Sequence, residues 1–149
     1  MQYLNLASLL VSALGLAEAT PVAPRQEAKA PYFFLIGDST VATDGGWGDG
    51  FVPHLVDPAK GENLGVGGKT TVSWKDSGRW DALIESIGAN KNDYEPIVTI
   101  QFGHNDQKVM EPPEFQANLE SIVADLTAAG ATPVRITAVI ALGALANTL

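Results

Sequence analysis

No cysteine occurs among the 149 residues. That excludes a disulfide framework, a cysteine-based zinc site and a thiol nucleophile. Histidine is nearly as scarce: His54 and His104 are the only two, far apart and without metal-ligand spacing, so no metal and no cofactor is expected. Positive charge is short as well, with 9 Lys and Arg against 17 Asp and Glu and a net charge of −8. Such a chain lacks the basic surface that holds phosphates, so no nucleic-acid partner is expected. No Asn-x-Ser/Thr acceptor is present, so N-glycosylation is not expected either. What the chain does hold is 46% apolar residues, with 15 Gly and 9 Pro. That is too apolar for wholesale disorder and long enough for one globular domain at most.

The N-terminus reads as a secretion signal. Leu4 to Leu16 is mostly apolar and uncharged, about the length of a signal-peptide core and too short for a bilayer span of ~20 residues. Ala17-Glu18-Ala19 fits small-x-small cleavage after Ala19, although a basic leading region is missing. A buried N-terminal helix is the other reading. It is disfavoured because Thr20 to Pro31 follows as a Pro- and Ala-rich spacer. The expectation is a signal peptide over 1–19, a spacer over 20–31, and an extracellular monomer with no membrane partner after cleavage.

Beyond the spacer, strand and helix patterns alternate. Tyr32 to Ile36 is an unbroken apolar run closed by Gly37, which suits a strand buried on both faces. Ser39 to Gly50 is glycine-rich and loop-like, and Pro53 and Pro58 keep the following helix short. Asn63 to Gly68 predicts a strand end and turn. Asp76 to Ala89 predicts an amphipathic helix with Trp80, Leu83, Ile84 and Ile87 on one face. Ile97 to Phe102 predicts a second strand, ended by Gly103. Pro113 to Ala129 is the clearest helix, with Phe115, Leu119, Ile122, Val123 and Leu126 at helical spacing and Gly130 as C-cap. Pro133 to Ile140 opens another strand-like run. This alternation implies an α/β fold with a parallel sheet, whose ligand site lies beyond the carboxyl ends of the strands.

Two strand ends carry polar clusters, Gly37-Asp38-Ser39-Thr40 and Gly103-His104-Asn105-Asp106, and Gly65-Val66-Gly67-Gly68 lies between them. A serine just past a buried strand can attack an acyl carbonyl, and the resulting oxyanion needs preplaced donors. The Ser39 amide, an N–H from the glycine cluster and the Asn105 side-chain amide are suitable. Alone, Asp-Ser-Thr would read equally as a cap or turn.

These residues carry a family resemblance. Phe34-Leu35-Ile36-Gly37-Asp38-Ser39-Thr40 resembles the first block of the GDSL/SGNH hydrolases. Gly103-His104-Asn105-Asp106 resembles their G-x-N-D block, and Asn63 to Gly68 their middle block. The Ser-Thr form of the first block, Gly46-Trp47-Gly48 and the histidine in the third are similar to the rhamnogalacturonan acetylesterase group. The resemblance covers about Tyr32 to Thr137 and implies a three-layer α/β/α sandwich of flavodoxin-like type. It implies Ser39 as nucleophile, with Gly68 and Asn105 completing an oxyanion hole beside the Ser39 amide; Gly67 takes the place of Gly68 if the alignment slips by one. Trp47 and His104 are implied substrate contacts. Asp38 and Asp106 are read as anchors of their own turns. The implied substrate is an acetylated plant cell-wall polysaccharide.

The sequence departs from the family at the base. No D-x-x-H block occurs, and Ala138 to Ala146 is an apolar tail where a polar loop is expected. His54 sits on the short helix and His104 is not the family's base. The expectation is therefore a partial domain over 32–137, lacking the last strand and helix, with an atypical tail over 138–149. It should be marginally stable and show little or no esterase turnover. A transcript reading through the codons of Ile136 to Leu149 into a D-x-x-H frame would instead make the chain an incomplete form of an ordinary Ser-His-Asp esterase.

Two other readings compete. Gly67-Gly68-Lys69-Thr70 echoes a phosphate-binding loop, but Asn63 stands where that pattern needs glycine. A non-catalytic carbohydrate-binding fragment is also compatible, with Trp47 better placed than Trp74 or Trp80 to stack on a sugar.

Overall fold

The structure is a computed structural model, and it describes residues 28–136. The expected signal peptide, most of the spacer and the tail lie outside the described residues. Four strands form one parallel sheet in the order β2-β1-β3-β4, with β1 at Ala30–Gly37, β2 at Lys60–Asn63, β3 at Tyr94–Gln101 and β4 at Thr132–Arg135. The α/β expectation is met.

The unbroken apolar run of β1 has a direct cause. Phe34, Leu35 and Ile36 are all fully buried, because β1 is flanked by two strands and covered on both faces. Phe34 and Ile36 point to one face, where Val98, Ile100 and Phe102 meet Trp74, Leu83, Ile87, Ile122 and Leu126 in the main core. Strand alternation sends Phe33 and Leu35 to the other face. There the Phe33 ring meets Phe51 edge-on, with centroids 5.2 Å apart, so the short helix α1 (Gly48–Phe51) covers that side.

Helices α2 (Thr71–Trp74), α3 (Trp80–Asn90) and α4 (Pro112–Ala129) supply the main-core layer. The helix expected over Asp76 to Ala89 begins instead at Trp80, as α3, and α2 precedes it. A π-type turn at Lys75–Arg79 joins them, broken at Gly78, whose φ of 74° lies in the left-handed region. Trp74 and Trp80 still meet edge-on across the break, at 6.4 Å. Helix α4 ends as its sequence predicts, with Gly130 left-handed at φ 94°.

Strand boundaries moved outward. β1 includes Ala30 and Pro31, assigned from sequence to the spacer, because they pair with Tyr94 and Glu95. β3 accordingly begins three residues before Ile97. β2 begins at Lys60, in a polar stretch with no period-2 pattern, where only pairing to β1 creates the strand. Leu64 and Val66 then donate to the Leu35 and Gly37 carbonyls at 2.8 and 2.9 Å, carrying the Asn63–Gly68 segment along β1 toward its carboxyl end.

Leu126 is fully buried in the main core, so Leu126→Ala should cost about 2–5 kcal/mol, read as a lower urea midpoint. At the sheet's other end, burial first, and then the hydrogen bond to Glu62, push the Tyr32 phenol up to about 12. A folded value above the ordinary 10 means stability present below pH 10 and lost as pH rises toward 12. The exposed Lys60 ammonium, held up by its bond to Tyr94, shifts in the same direction. Urea midpoints measured between pH 9 and 12 should fall with pH less steeply in Tyr32→Phe than in the wild type.

Candidate active site

The site starts at Gly37, the last residue of β1. A Cβ there would collide with the Gln101 carbonyl and the Val41 side chain, so only glycine lets the chain turn this closely. Asp38 follows, with its side chain buried. Its Oδ1 accepts from the Thr40 amide at 2.9 Å and the Thr40 hydroxyl at 2.8 Å. Its carbonyl accepts from the Val41 and Ala42 amides at 3.1 and 3.0 Å. The inward Asp38 tightens the turn and leaves Ser39 outward and exposed. Among the described residues the Ser39 hydroxyl has no hydrogen-bond partner.

The middle segment is tied to this turn. Asn63 donates from Nδ2 to the Val41 carbonyl at 2.8 Å and accepts from the Gly65 amide at 3.1 Å. A Cβ on Gly65 would lie 2.6 Å from the Ala42 nitrogen, so glycine is required for the approach. Gly67 then faces the serine: a Cβ built on it would sit 3.8 Å from Ser39 Cβ. Gly68 follows with φ 76° and has nothing within 4 Å of its Cβ position.

The third cluster follows β3. Asp106 is fully buried. Its Oδ1 accepts from the Thr71 amide at 2.8 Å and the Thr71 hydroxyl at 2.6 Å, and its Oδ2 accepts from the Gly103 amide at 3.1 Å. The carboxylate thus clasps the start of α2 to the end of β3. Thr71 is exposed to no solvent and follows a reciprocal Thr70–Ser73 cap, in which the Ser73 amide donates to Thr70 Oγ1 at 3.1 Å. Asn105 lies half-buried before the 3-10 turn at Asp106–Lys108, and its Nδ2 donates to the Lys69 carbonyl at 3.1 Å. The bond from the Val66 amide to the Gly37 carbonyl, the approach of Gly67 to Ser39 and the bond from Asn105 to the Lys69 carbonyl bring all three clusters to one end of the sheet.

Trp47 is half-buried, its indole N–H donating to Gln101 Oε1 and its ring 5.9 Å from Phe51. His104 is exposed, as is His54 on the 3-10 turn Val52–His54. Neither imidazole is hydrogen-bonded to Ser39 among the described residues. A groove of about 500 Å³ opens beside Asn105's partner Lys69, between the Thr70, Ser73 and Asp76 side and the Met110 and Glu114 side. Reading the sequence overlooked Thr71 and Gln101, since nothing local marks partners 35 or 54 positions away, and Lys108, whose partner Asn105 is only three positions away, across a 3-10 turn that the sequence reading did not include.

A family model described as the GDSL-like lipase/acylhydrolase family matches residues 35–147. The chain belongs to this family. Among its relatives is a Bacillus subtilis protein named probable rhamnogalacturonan acetylesterase YesY, 29% identical over 123 residues, covering 74% of this chain and 54% of the relative. Rhamnogalacturonan acetylesterase RhgT of the same organism is 36% identical over 116 residues, covering 71% of this chain and 48% of the relative. The chain thus spans about half the length of these curated relatives. Among solved structures, TesA superposes with a TM-score of 0.57 at 26% identity, covering 70% of this chain and 58% of that one. The esterase EstA from Pseudoalteromonas sp. superposes with a TM-score of 0.53 at 23% identity, covering 70% and 57%, and shares the GDSL fold.

Removing the clasp should be costly. Asp106→Ala leaves the Thr71 and Gly103 amides buried without an acceptor, so unfolding free energy should drop by about 3 kcal/mol or more. Asp106→Asn keeps an acceptor and should drop it by less. Chemical denaturation of both variants measures the difference.

Proposed function

We propose that this chain carries the nucleophile and oxyanion-binding half of a secreted serine esterase that removes acetyl groups from plant cell-wall polysaccharide of rhamnogalacturonan type. The observation that carries the reading is the exposed Ser39 hydroxyl at the carboxyl end of β1, facing Gly67 and sharing that end with Asn105. Family membership and the two acetylesterase-named relatives support the class of reaction and the ester. The apolar N-terminal segment with its small-x-small site supports secretion.

In this reading Ser39 Oγ bonds to the acetyl carbonyl carbon, and the carbonyl oxygen becomes an oxyanion. The Ser39 amide, the Gly68 amide and the Asn105 carboxamide receive it, with the Gly67 amide as the alternative donor in the middle segment. Collapse breaks the bond to the sugar oxygen, which leaves as the alcohol, and water then hydrolyses the acetyl-serine. Trp47 and His104 flank the sugar, and the groove near Lys69 holds the rest of the polymer. Donors of this kind each contribute about 10²–10³ in rate.

The D-x-x-H block that would carry the base does not occur in this sequence. Without a base a serine hydroxyl is a weak nucleophile, and serine hydrolases stripped of their triad keep only a residual rate about 10³–10⁴ above water. The purified chain should release acetate from acetylated pectin or 4-nitrophenyl acetate far below the roughly 1–10³ per second of ordinary enzymes. A residual rate of that kind does not need the serine, so the nucleophile is tested by mass spectrometry of the chain after incubation with 4-nitrophenyl acetate, where an acetyl group should be found on Ser39 and be missing in Ser39→Ala. Turnover in the ordinary range would overturn the inactive reading, and a Ser39 that is never acetylated would overturn the nucleophile. The second reading, a carbohydrate-binding protein without catalysis, is favoured by the unbonded Ser39 hydroxyl. Polysaccharide binding in pull-down with no acetate release and no reaction at Ser39 is its signature.

A further inference from the structure

Asn105 has two partners, one at each end of its carboxamide. Its Nδ2 donates to the Lys69 carbonyl at 3.1 Å, and its Oδ1 accepts from Lys108 Nζ at 3.1 Å. The two partners agree on one orientation. An ammonium can only donate and a carbonyl can only accept, so the flipped amide would lose both bonds. The amide nitrogen carries two hydrogens. Lys69 takes one and leaves the other for a ligand.

The placement of Lys108 follows from local geometry. Asp106–Lys108 is a 3-10 turn, and the Lys108 amide donates to the Asn105 carbonyl at 3.1 Å. Residues three apart eclipse in such a turn, which sets the Lys108 side chain over Asn105. Asn105 Oδ1 is the one hydrogen-bond partner of the Lys108 ammonium among the described residues, where the single ion pair is Lys75–Asp125. A cation on Oδ1 also draws charge from the amide and makes the free N–H a better donor.

We propose that Lys108 is a positioning residue, which locks and polarises the Asn105 carboxamide so that its free N–H faces the oxyanion formed at Ser39. The inference rests on the esterase reading above for the role of Asn105, but the lock itself does not. Lys108 touches no reacting atom in this scheme.

Two measurements on the full 149-residue chain test it. The first is the side-chain amide signal of Asn105 in 15N-correlated NMR, assigned by its loss in Asn105→Ala. In Lys108→Met this NH2 pair should shift and exchange with solvent faster, while Lys108→Arg should keep it near its wild-type position. Backbone signals of β1 and β3 report whether Lys108→Met remains folded; an exposed lysine should leave them in place. An Asn105 pair unmoved by Lys108→Met overturns the proposal.

The second is the rate at which diethyl 4-nitrophenyl phosphate modifies Ser39. The serine oxygen bonds to phosphorus, 4-nitrophenolate leaves, and the serine proton passes to water. The phosphoryl oxygen then needs the same donors. Asn105→Ala should slow this about a hundredfold. Lys108→Met should slow it about three- to tenfold, in the maximal rate rather than in reagent affinity, with recovery in Lys108→Arg and weakening at high salt. A rate that falls in Asn105→Ala but not in Lys108→Met overturns the proposal. A rate indifferent to Asn105→Ala, or a Ser39 that never reacts, overturns the catalytic reading instead, and the lock is then judged on the amide signal alone.

Discussion

A single buried carboxylate holds the site together. Asp106 is removed from solvent, a costly place for a carboxylate unless both its oxygens are hydrogen-bonded. It is answered by two amides and a hydroxyl, from Thr71 and Gly103. These donors come from two elements distant in sequence, so satisfying the charge requires both to be in place. The end of β3, the start of α2 and the turn bearing Asn105 are therefore fixed as one unit. Asn118 adds a contact from α4 to the Thr71 hydroxyl at 3.4 Å, which extends that unit into the helix layer.

The other half of the site depends on close backbone approach. β1 ends in a turn that only Gly37 permits, and Gly65 lets the middle segment come against Ala42. Asp38 repeats on a smaller scale what Asp106 does, an inward carboxylate spent on neighbouring donors. Both acidic residues of the motifs thus act on the frame. The residues left outward are the serine and the asparagine, which have the chemistry to meet an ester. The parallel sheet explains why they share one end: all strands run the same way, so every turn that follows a strand opens at the same end.

The motif residues were legible in the sequence because each is local. A glycine, an acid and a serine in succession after an apolar run mark a strand end and a tight turn. Helix α4 was equally legible, since its apolar spacing and its glycine cap lie within one stretch. The break at Gly78 was not, because an amphipathic pattern continues through it and a left-handed glycine leaves no other trace. β2 was hidden for the opposite reason. Lys60–Asn63 has no strand pattern, and it is extended only because β1 offers it unpaired backbone groups.

The sequence by itself determined the α/β class, the family, the apolar faces and the identity of the candidate nucleophile and its donors. These follow from composition and short-range order, which the chain carries wherever it folds. The tertiary structure alone decided which glycine faces Ser39, which carboxylate is buried in the clasp, and that Lys108 and Lys69 hold the two ends of Asn105. Except for the Lys108 contact, which a local 3-10 turn sets, those facts depend on groups tens of positions apart being brought together. Burial and strand register set that approach, and neither is written in any local pattern.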